Sequence, residues 1–269
     1  MGATRRLLAA AAVLLIGCAA RTTPEVIQTF HSRALGRTMA YQVFLPARTG
    51  RVPVVYLLHG HGGNVGNWFS ATSVAGVAER LGLAVVTPEG GDSWYVNGPG
   101  GRWMDYVVDD LVAEVEGRWP VARDRTGRAI AGLSMGGYGA LNIALQRPER
   151  FALAASMSGA LDTPRDISVF DPTGARPDIP PVFGPAGSAT RRDNDIYARV
   201  RHAMPAALPF VYLDCGLEDP WVAVNREFAS RLDTLGIAHA FHTPSGGHDW
   251  TYWNRQIAEV LALAARRLR

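Results

Sequence analysis

Ser134 stands at the centre of the pentapeptide Gly-Leu-Ser-Met-Gly, residues 132–136. A G-x-S-x-G pattern is typical of a nucleophile elbow, where a strand ends in a sharp turn and a helix follows. Apolar residues 129–131 precede the motif, and the helix-like run 138–146 follows it. Flanking glycines allow a strained turn that lifts the serine oxygen above the sheet. The pattern alone is weak, but this context predicts a nucleophilic serine.

His248 is the candidate base for this serine. A serine hydroxyl is a poor nucleophile unless a base takes its proton and a third group orients that base. In α/β-hydrolases the chain order is serine, acid, histidine, and the histidine lies on a loop after the last strand. His248 lies in the segment 245–250, between the last predicted strand and the last predicted helix. His242 falls within that strand, so we interpret it as structural.

The acid of such a triad should follow the penultimate strand, and the segment 210–220 offers three carboxylates. We favour Asp219 because it lies beyond a glycine turn and just before a predicted helix. Asp214 at the strand end and the adjacent Glu218 remain alternatives. The acid would hold the imidazole tautomer and stabilise the imidazolium.

An oxyanion hole needs two backbone N–H groups aimed at the developing negative charge. One comes from the residue after the nucleophile, here Met135, and the other from the loop after an early strand. The segment 59–63, His-Gly-His-Gly-Gly, is such a loop, and we expect His61 to supply the second N–H. His59 and His61 could instead form a metal pair, but no further ligand follows at metal-site spacing. The sequence therefore predicts neither a metal nor a cofactor.

Aromatic residues occur close to these loops in the sequence and suggest a pocket for an aryl or sugar group. The alternative is ordinary packing, which we favour for most of them. Trp94 and Tyr95 are the best pocket candidates because they lie on a glycine-rich loop after a strand, and His59 is a third substrate-binding candidate. The full aromatic set is Trp68, Trp94, Tyr95, Trp103, Trp221, Trp250 and Trp253.

Alternating strands and helices must position these residues. Strand-like and helix-like runs alternate from residue 54 to the last predicted helix at 250–268, which predicts a mostly parallel central sheet with helices on both faces. Two earlier runs, 26–31 and 39–45, look like antiparallel strands near an edge. A single helix is expected over 106–119. Residues 160–207 lack periodicity, and an insertion of this length should overhang the sheet edge where the site lies.

The composition is globular, with 48% hydrophobic and 19% charged residues. All 27 basic residues are arginine, and the formal net charge is +3. No basic run reaches the length of a polybasic patch, so the composition gives no indication of nucleic-acid binding. Cys215 follows an apolar run and is expected to be a buried structural thiol.

The N-terminal segment predicts export. Arg5 and Arg6 form a basic region, and residues 7–16 are apolar but too short to span a bilayer. The run ends in Leu-Ile-Gly-Cys at 15–18, which resembles the lipobox of bacterial lipoproteins. That resemblance implies a signal peptide over 1–17, acylation of Cys18 and a tether to residue 25. The domain 26–269 would then be extracytoplasmic and lipid-anchored to a bacterial membrane, or, on the alternative reading, secreted or periplasmic.

Taken together, the motifs resemble those of the esterase-D-like esterases, a family of α/β-hydrolases. Relatives in that family are short-chain acyl, feruloyl and acetylxylan esterases, S-formylglutathione hydrolases and mycolyltransferases. The resemblance covers about residues 25–268 and implies the triad and oxyanion roles given above. Mycolyltransferases carry Asp and Arg where this chain has His59 and Gly62, which argues against mycolyl transfer. The motifs that carry the resemblance are 59–63, 93–95, 106–111, 132–137, 216–219 and 247–250.

Three functional hypotheses follow from the sequence. The first is a serine carboxylesterase acting on a small-molecule or carbohydrate-linked ester. The second is an acyltransferase that passes the same acyl group to a sugar or another alcohol. The third is a non-catalytic binding lipoprotein on a hydrolase fold, although a binding protein has no need to keep a serine, an acid and a histidine in order. The sequence does not specify the oligomeric state.

Overall fold

The computed structural model describes residues 26–269, so the predicted signal peptide, Cys18 and the tether lie outside the described residues. Eight strands form one central sheet, and β5 and β6 form a small separate hairpin. The strands in chain order are β1 Val26–Ser32, β2 Arg37–Phe44, β3 Val54–Leu58, β4 Ala84–Pro88, β5 Asn97–Gly98, β6 Gly101–Arg102, β7 Arg128–Leu133, β8 Leu153–Met157, β9 Phe210–Asp214 and β10 His239–His242.

The central sheet is mixed but mostly parallel, and its order is β1-β2-β4-β3-β7-β8-β9-β10. Strands β1, β2 and β4 pair antiparallel, and every later pair is parallel. The predicted α/β-hydrolase architecture and the antiparallel edge are therefore confirmed. β7 lies at the centre between β3 and β8, which places the segment before Ser134 in the best-supported part of the sheet.

The central strands are apolar along their whole length because helices cover both faces of the sheet. All five residues of β3 are buried, and alternate side chains point to opposite faces. Tyr56 packs in one hydrophobic core, while Val55 and Leu57 pack in the second core on the other face. Burial on both faces fixes the register, because a slip of one residue would exchange these two sets.

The longest helices flank this sheet, with α5 and α9 on one face and α2 and α10 on the other. Helix α10 presents a buried stripe at helical spacing that includes Tyr252, Ile257 and Val260. The helices in chain order are α1 Asn67–Ala71, α2 Val74–Leu81, α3 Trp103–Asp105, α4 Val112–Arg118, α5 Met135–Gln146, α6 Pro180–Phe183, α7 Ala189–Asp193, α8 Ile196–Arg199, α9 Val222–Thr234 and α10 Trp250–Arg267. Single-turn helices are Arg125–Gly127, Val200–His202 and Pro205–Ala207.

The helix expected over 106–119 differs from the observed structure. Three segments are continuous here: α3, a π-helical stretch Tyr106–Leu111, and α4. The wider turn leaves four apolar side chains of the stretch buried, which a pattern with period 3.6 does not anticipate.

The insertion 160–207 folds into the short helices α6, α7 and α8 and irregular loops. Its first part lies against the loop that follows β3, since Phe170 and Asp178 both contact the side chain of His61. The expectation that this segment overhangs the site edge is consistent with these contacts.

Candidate active site

Ser134 occupies a strained turn between β7 and α5. Its φ of 53° and ψ of −118° place a non-glycine residue in a region that such side chains rarely adopt. Its N–H donates to the carbonyl of Met157 on β8 at 2.9 Å, which fixes the turn to the sheet. Strain of this kind, held by the surrounding structure, is typical of functional positions.

Close backbone contacts explain the glycines around Ser134. A Cβ on Gly132 would lie 2.4 Å from the backbone carbonyl of Gly136. A Cβ on Gly136 would lie 2.5 Å from the carbonyl oxygen of Leu58 on β3. Both distances are far below van der Waals contact, so the tight turn and the close approach of α5 to β3 require glycine. The G-x-S-x-G pattern therefore reflects packing on both sides of the serine.

His248 lies directly beside Ser134. Its Nε2 is 3.0 Å from the Ser134 Oγ, and its Nδ1 is 2.9 Å from an oxygen of Asp219. If Nδ1–H donates to the carboxylate, Nε2 is free to accept the serine proton. The rings of Trp221 and Trp253 lie 4.7 Å and 4.9 Å from the imidazole, so the histidine is held from two sides.

The loops that carry Asp219 and His248 are packed tightly together. The N–H of Glu218 donates to the carbonyl of Gly246 at 3.1 Å. A Cβ on Gly216 would lie only 1.9 Å from that same carbonyl oxygen, so glycine is required where the loops meet. Asp249 then caps α10 by accepting the N–H of Tyr252, which sets where the helix begins after His248.

Of the three candidate acids, Asp219 is the one whose side chain contacts His248. The Asp219 side chain is buried and also accepts the N–H of Trp221 at 2.9 Å. Burial alone would raise its pKa, but the hydrogen bond and charge of His248 bring the pKa below the ordinary value. The other two carboxylates point elsewhere: Glu218 accepts the N–H of Gly246, and Asp214 accepts the Tyr252 hydroxyl.

The loop after β3 passes directly over the serine. A Cβ on Gly60 would lie 2.6 Å from the Leu133 side chain and 3.4 Å from the Ser134 Cβ. The loop turns back at Gly62, whose φ is +70° and whose N–H donates to Asp92 at 2.6 Å. His61 lies in this turn. Met135 is the first residue of α5, so its N–H has no partner within the helix.

The proposed substrate contacts of His59, Trp94 and Tyr95 do not fit their positions, because all three side chains are at most 1% exposed. His59 accepts the N–H of Gly90 at 2.9 Å, and its carbonyl accepts the Tyr95 hydroxyl at 3.2 Å. The ring of Trp94 packs between Tyr138 and Phe183. These side chains pack beneath the loop that follows β3. Burying their large apolar surfaces in the core is more favourable than leaving them exposed to water.

The cavity at Ser134 has a volume of about 460 Å³ and different aromatic walls. Trp250 and Trp253 from the start of α10 line it, beside His248. Both residues belong to the aromatic set predicted from the sequence, in which Trp94 and Tyr95 were the preferred pocket residues. Asn67, the first residue of α1, also lines the cavity and was not among the candidates; the only sequence signal was its position shortly after the His-Gly-His-Gly-Gly segment.

Two carboxylates contact His61 that the sequence did not single out. Its Nε2 lies 3.4 Å from Asp178 in the insertion and 3.8 Å from Asp92 in the loop after β4. Arg176 binds Asp178 through two hydrogen bonds of 3.0 Å and 2.8 Å and lies over the Phe170 ring. These residues are remote in sequence, so no local pattern could have grouped them.

Within residues 26–269, no three His, Cys, Asp or Glu side chains are placed to hold a metal ion. The same part of the chain contains no helix with the length and apolar character needed to cross a membrane. Cys215 is buried with a free thiol, as expected for a structural cysteine.

The buried carboxyl of Asp214 should make the stability of the protein depend on pH. It is fully buried, and burial raises its pKa from 3.8 to about 7. The folded state binds the proton of Asp214 more tightly than the unfolded state does. The contribution of Asp214 to the free energy of unfolding is therefore fully present below pH 4, and it is lost as the pH rises towards 7. The loss amounts to at most about 4 kcal/mol. Asp214→Asn keeps an acceptor for Tyr252 and should lack this loss when urea unfolding is compared at pH 5 and pH 8.

The exposed Asp193 provides the matched control, since Asp193→Asn should leave the pH dependence of unfolding as it is in the wild type. Equal pH dependence in the wild type and Asp214→Asn would contradict the assignment of a raised pKa to Asp214.

Comparison with known proteins places this chain in a family. The Esterase family, described as "Putative esterase", matches residues 32–264. An acetyl esterase of Caldicellulosiruptor saccharolyticus is 30% identical over 216 residues, which cover 77% of this chain and 80% of the relative. An esterase of Mycobacterium tuberculosis is 30% identical over 250 residues, which cover 81% of this chain and only 54% of that protein. This chain thus spans about half the length of the mycobacterial relative.

Among solved structures, the fluorophosphonate-binding serine hydrolase FphF of Staphylococcus aureus superposes with a TM-score of 0.82 at 24% identity. That match covers 90% of this chain and 98% of the other, and it supports the fold. The fold and the site together define a serine hydrolase of the α/β-hydrolase class. The chain belongs to the Esterase family and is a carboxylic ester hydrolase.

Proposed function

We propose that this protein hydrolyses carboxylic esters through an acyl-enzyme formed on Ser134. The observation that carries the proposal is the continuous chain from Asp219 through His248 to Ser134, with separations of 2.9 Å and 3.0 Å. Both distances are within hydrogen-bond reach, as a nucleophile and its base require. The strained turn at Ser134 presents the oxygen to the cavity above it.

In this mechanism, the Ser134 oxygen attacks the ester carbonyl while His248 Nε2 takes the hydroxyl proton. The carbonyl oxygen becomes an oxyanion, which the N–H groups of His61 and Met135 are proposed to stabilise. His248 then gives its proton to the leaving alcohol, and the acyl group stays on the serine. Asp219 stabilises the positive imidazolium throughout.

Water completes the reaction by the same steps in reverse order. His248 takes a proton from the water as the water oxygen attacks the acyl carbon. The bond between the acyl carbon and the Ser134 oxygen then breaks, the proton passes from His248 to that oxygen, and the carboxylic acid leaves. Nε2 is the atom that handles the proton in both halves, so one histidine serves as base and then as acid.

The substrate we propose is a small ester, free or linked to a carbohydrate. The cavity of about 460 Å³ is of the size that small-molecule sites have, and it combines Trp250 and Trp253 with the polar Asn67 and Asp249. The similarity to an acetyl esterase supports an ester substrate of this kind. Transfer of the acyl group to an alcohol uses the same acyl-enzyme, so hydrolysis and transfer must be separated by product analysis.

The test is hydrolysis of p-nitrophenyl esters from acetate to palmitate, and of the ferulate, by the purified protein and by Ser134→Ala. We expect rapid turnover of short esters with a burst of p-nitrophenol, and loss of both in the variant. An added alcohol such as glycerol should divert little product to a new ester if water is the natural acceptor. A folded protein without turnover would contradict the hydrolase proposal, and efficient diversion would favour the transferase.

We also propose that the enzyme is exported and anchored through lipid on Cys18, on the strength of the basic, apolar and Leu-Ile-Gly-Cys segments at residues 5–18. Several acyl chains would hold the protein stably on a membrane surface. The full-length chain expressed in a bacterium should be found in the membrane fraction and should incorporate labelled palmitate. Cys18→Ala should abolish the label, while a label that persists in this variant would exclude Cys18 as the site.

A further inference from the structure

A second cavity lies next to the loop of residues 59–63 that follows β3, called the oxyanion loop here, because Asp92 and Asp178 both line the cavity and contact the loop. Its volume is about 380 Å³, and it lies between the β5–β6 hairpin and α6 of the insertion. Val96, Trp103, Pro181 and Val182 give it largely apolar walls. No residue of the proposed mechanism lines this cavity.

The two cavities share a wall at His61. His61 lines the Ser134 cavity, and its Nε2 contacts Asp92 and Asp178, which both line the second cavity. Asp92 also accepts the N–H of Gly62, the next residue of the loop. All three side chains are partly exposed, so an acyl chain that crosses the His61 side chain at the surface would enter the second cavity.

The position of His248 decides which part of the ester extends towards the second cavity. His248 must reach the oxygen of the leaving alcohol to protonate it, so the alcohol lies on the His248 side, beside Trp250 and Trp253. The acyl group then points away from His248, across the oxyanion loop. This assignment rests on the proposed acyl-enzyme mechanism.

The charge at the entrance restricts the acyl group further. Asp178 is held by two hydrogen bonds from Arg176, and this contact keeps its pKa below the ordinary value, so the carboxyl stays ionised at neutral pH. Asp92 is half-exposed at the same entrance. The Arg176 guanidinium offsets the charge of Asp178, so Asp92 leaves one net negative charge at the entrance. Beside apolar walls, that charge admits a neutral hydrocarbon chain and disfavours a chain that ends in a carboxylate.

We propose that the second cavity is an acyl subsite that receives the tail of uncharged, medium-length acyl chains and that Asp92 and Asp178 exclude anionic ones. The apolar walls bind the tail by removing it from water, and each buried methylene contributes about a fourfold gain in binding. Part of that gain appears in kcat/KM when the tail anchors the acyl group during attack on the carbonyl.

The test compares p-nitrophenyl acetate, whose acyl group is too short to reach the subsite, with the hexanoate. We expect the wild type to show a hexanoate-to-acetate ratio of kcat/KM on the order of tenfold or more. Val182→Phe fills the cavity and should lower this ratio severalfold. Val182→Ala enlarges the cavity and should move the preferred chain length upwards, which keeps the test decisive if the larger side chain impairs folding.

Ile167→Phe is the matched control, because Ile167 is an exposed apolar residue of the same insertion that does not line the cavity. It should keep the wild-type ratio. A ratio near one in the wild type, or a ratio that neither Val182 variant changes, would overturn the subsite. Failure of the esterase proposal looks different, since acetate itself would then show no Ser134-dependent turnover.

A separate measurement tests whether the charge at the entrance excludes anionic acyl chains. The adipate half-ester has the length of a hexanoate and ends in a carboxylate, so the wild type should hydrolyse it at least tenfold less efficiently than the hexanoate. Asp178→Asn should narrow this difference severalfold, and Asp166→Asn, at an exposed insertion carboxylate away from the cavity, should not. An adipate half-ester hydrolysed as well as the hexanoate would refute anion exclusion.

Discussion

Asp219→Asn is expected to lower kcat for ester hydrolysis by about ten-thousand-fold, with little change in fold. The amide would present an N–H where the carboxylate now accepts the Nδ1 proton of His248, so the imidazole would adopt the tautomer that cannot take the serine proton. Steady-state hydrolysis of p-nitrophenyl acetate measures the loss, and circular dichroism checks the fold.

Glu218→Gln is the matched control, because this neighbouring carboxylate contacts the N–H of Gly246 and not His248. It should keep activity within about tenfold of the wild type, since only a loop contact changes. If Glu218→Gln lost as much activity as Asp219→Asn, the assignment of the acid would be wrong.

Ser134→Ala should remove as much activity as the loss of the whole triad. In the proposed mechanism the three side chains act as one unit, so Ser134→Ala and the double variant with His248→Ala should have the same residual rate. A double variant much slower than Ser134→Ala would show that His248 acts independently of the serine.

Gly132→Ala is expected to lower both stability and activity. The added Cβ would lie 2.4 Å from the backbone carbon and oxygen of Gly136, and backbone atoms cannot move aside as a flexible side chain can. Relieving this clash must shift the start of α5 and with it Ser134. We expect a loss of about 3 kcal/mol in the free energy of unfolding and loss of turnover in the protein that remains folded.

Gly117→Ala provides the comparison for a glycine whose surroundings are open. Gly117 lies in α4, and an added Cβ meets no atom within 4 Å. Alanine should stabilise the protein by about 0.5–1 kcal/mol, because it restricts the unfolded chain and favours the helix. Urea unfolding of both variants tests the contrast, and equal destabilisation would mean that the close contact at Gly132 is not what matters.

The fold could be predicted in outline because burial on both faces leaves a direct mark on the sequence. The alternation of strands and helices from residue 54, the apolar strand before Ser134 and the early antiparallel pair were expected, and the structure contains all three with small differences in bounds. Helix α5 begins three residues before the run expected at 138–146. Glycine is a poor helix former by propensity, so the glycines at the start of α5 do not resemble a helix in the sequence. At Gly136 and Gly137, tertiary packing outweighs that propensity.

The sequence by itself determined the neighbourhood of Ser134 and the loop position of His248. A nucleophile elbow is a local structure, and chain order restricts where a base can lie. These features depend on residues that are close in sequence or on the order of strands, and both can be read without coordinates.

Only the tertiary structure decided which of the candidate acids contacts His248. It also decided which aromatic residues line the Ser134 cavity and which are buried beneath the loop after β3. Asp214, Glu218 and Asp219 lie within six residues, so the direction of each side chain at the end of β9 depends on packing against the loop of Gly246. Trp94 and Tyr95 are buried because the insertion and α5 cover them. Contacts between segments remote in sequence, such as His61 with Asp178, exist only once the chain is folded, because no local preference encodes them.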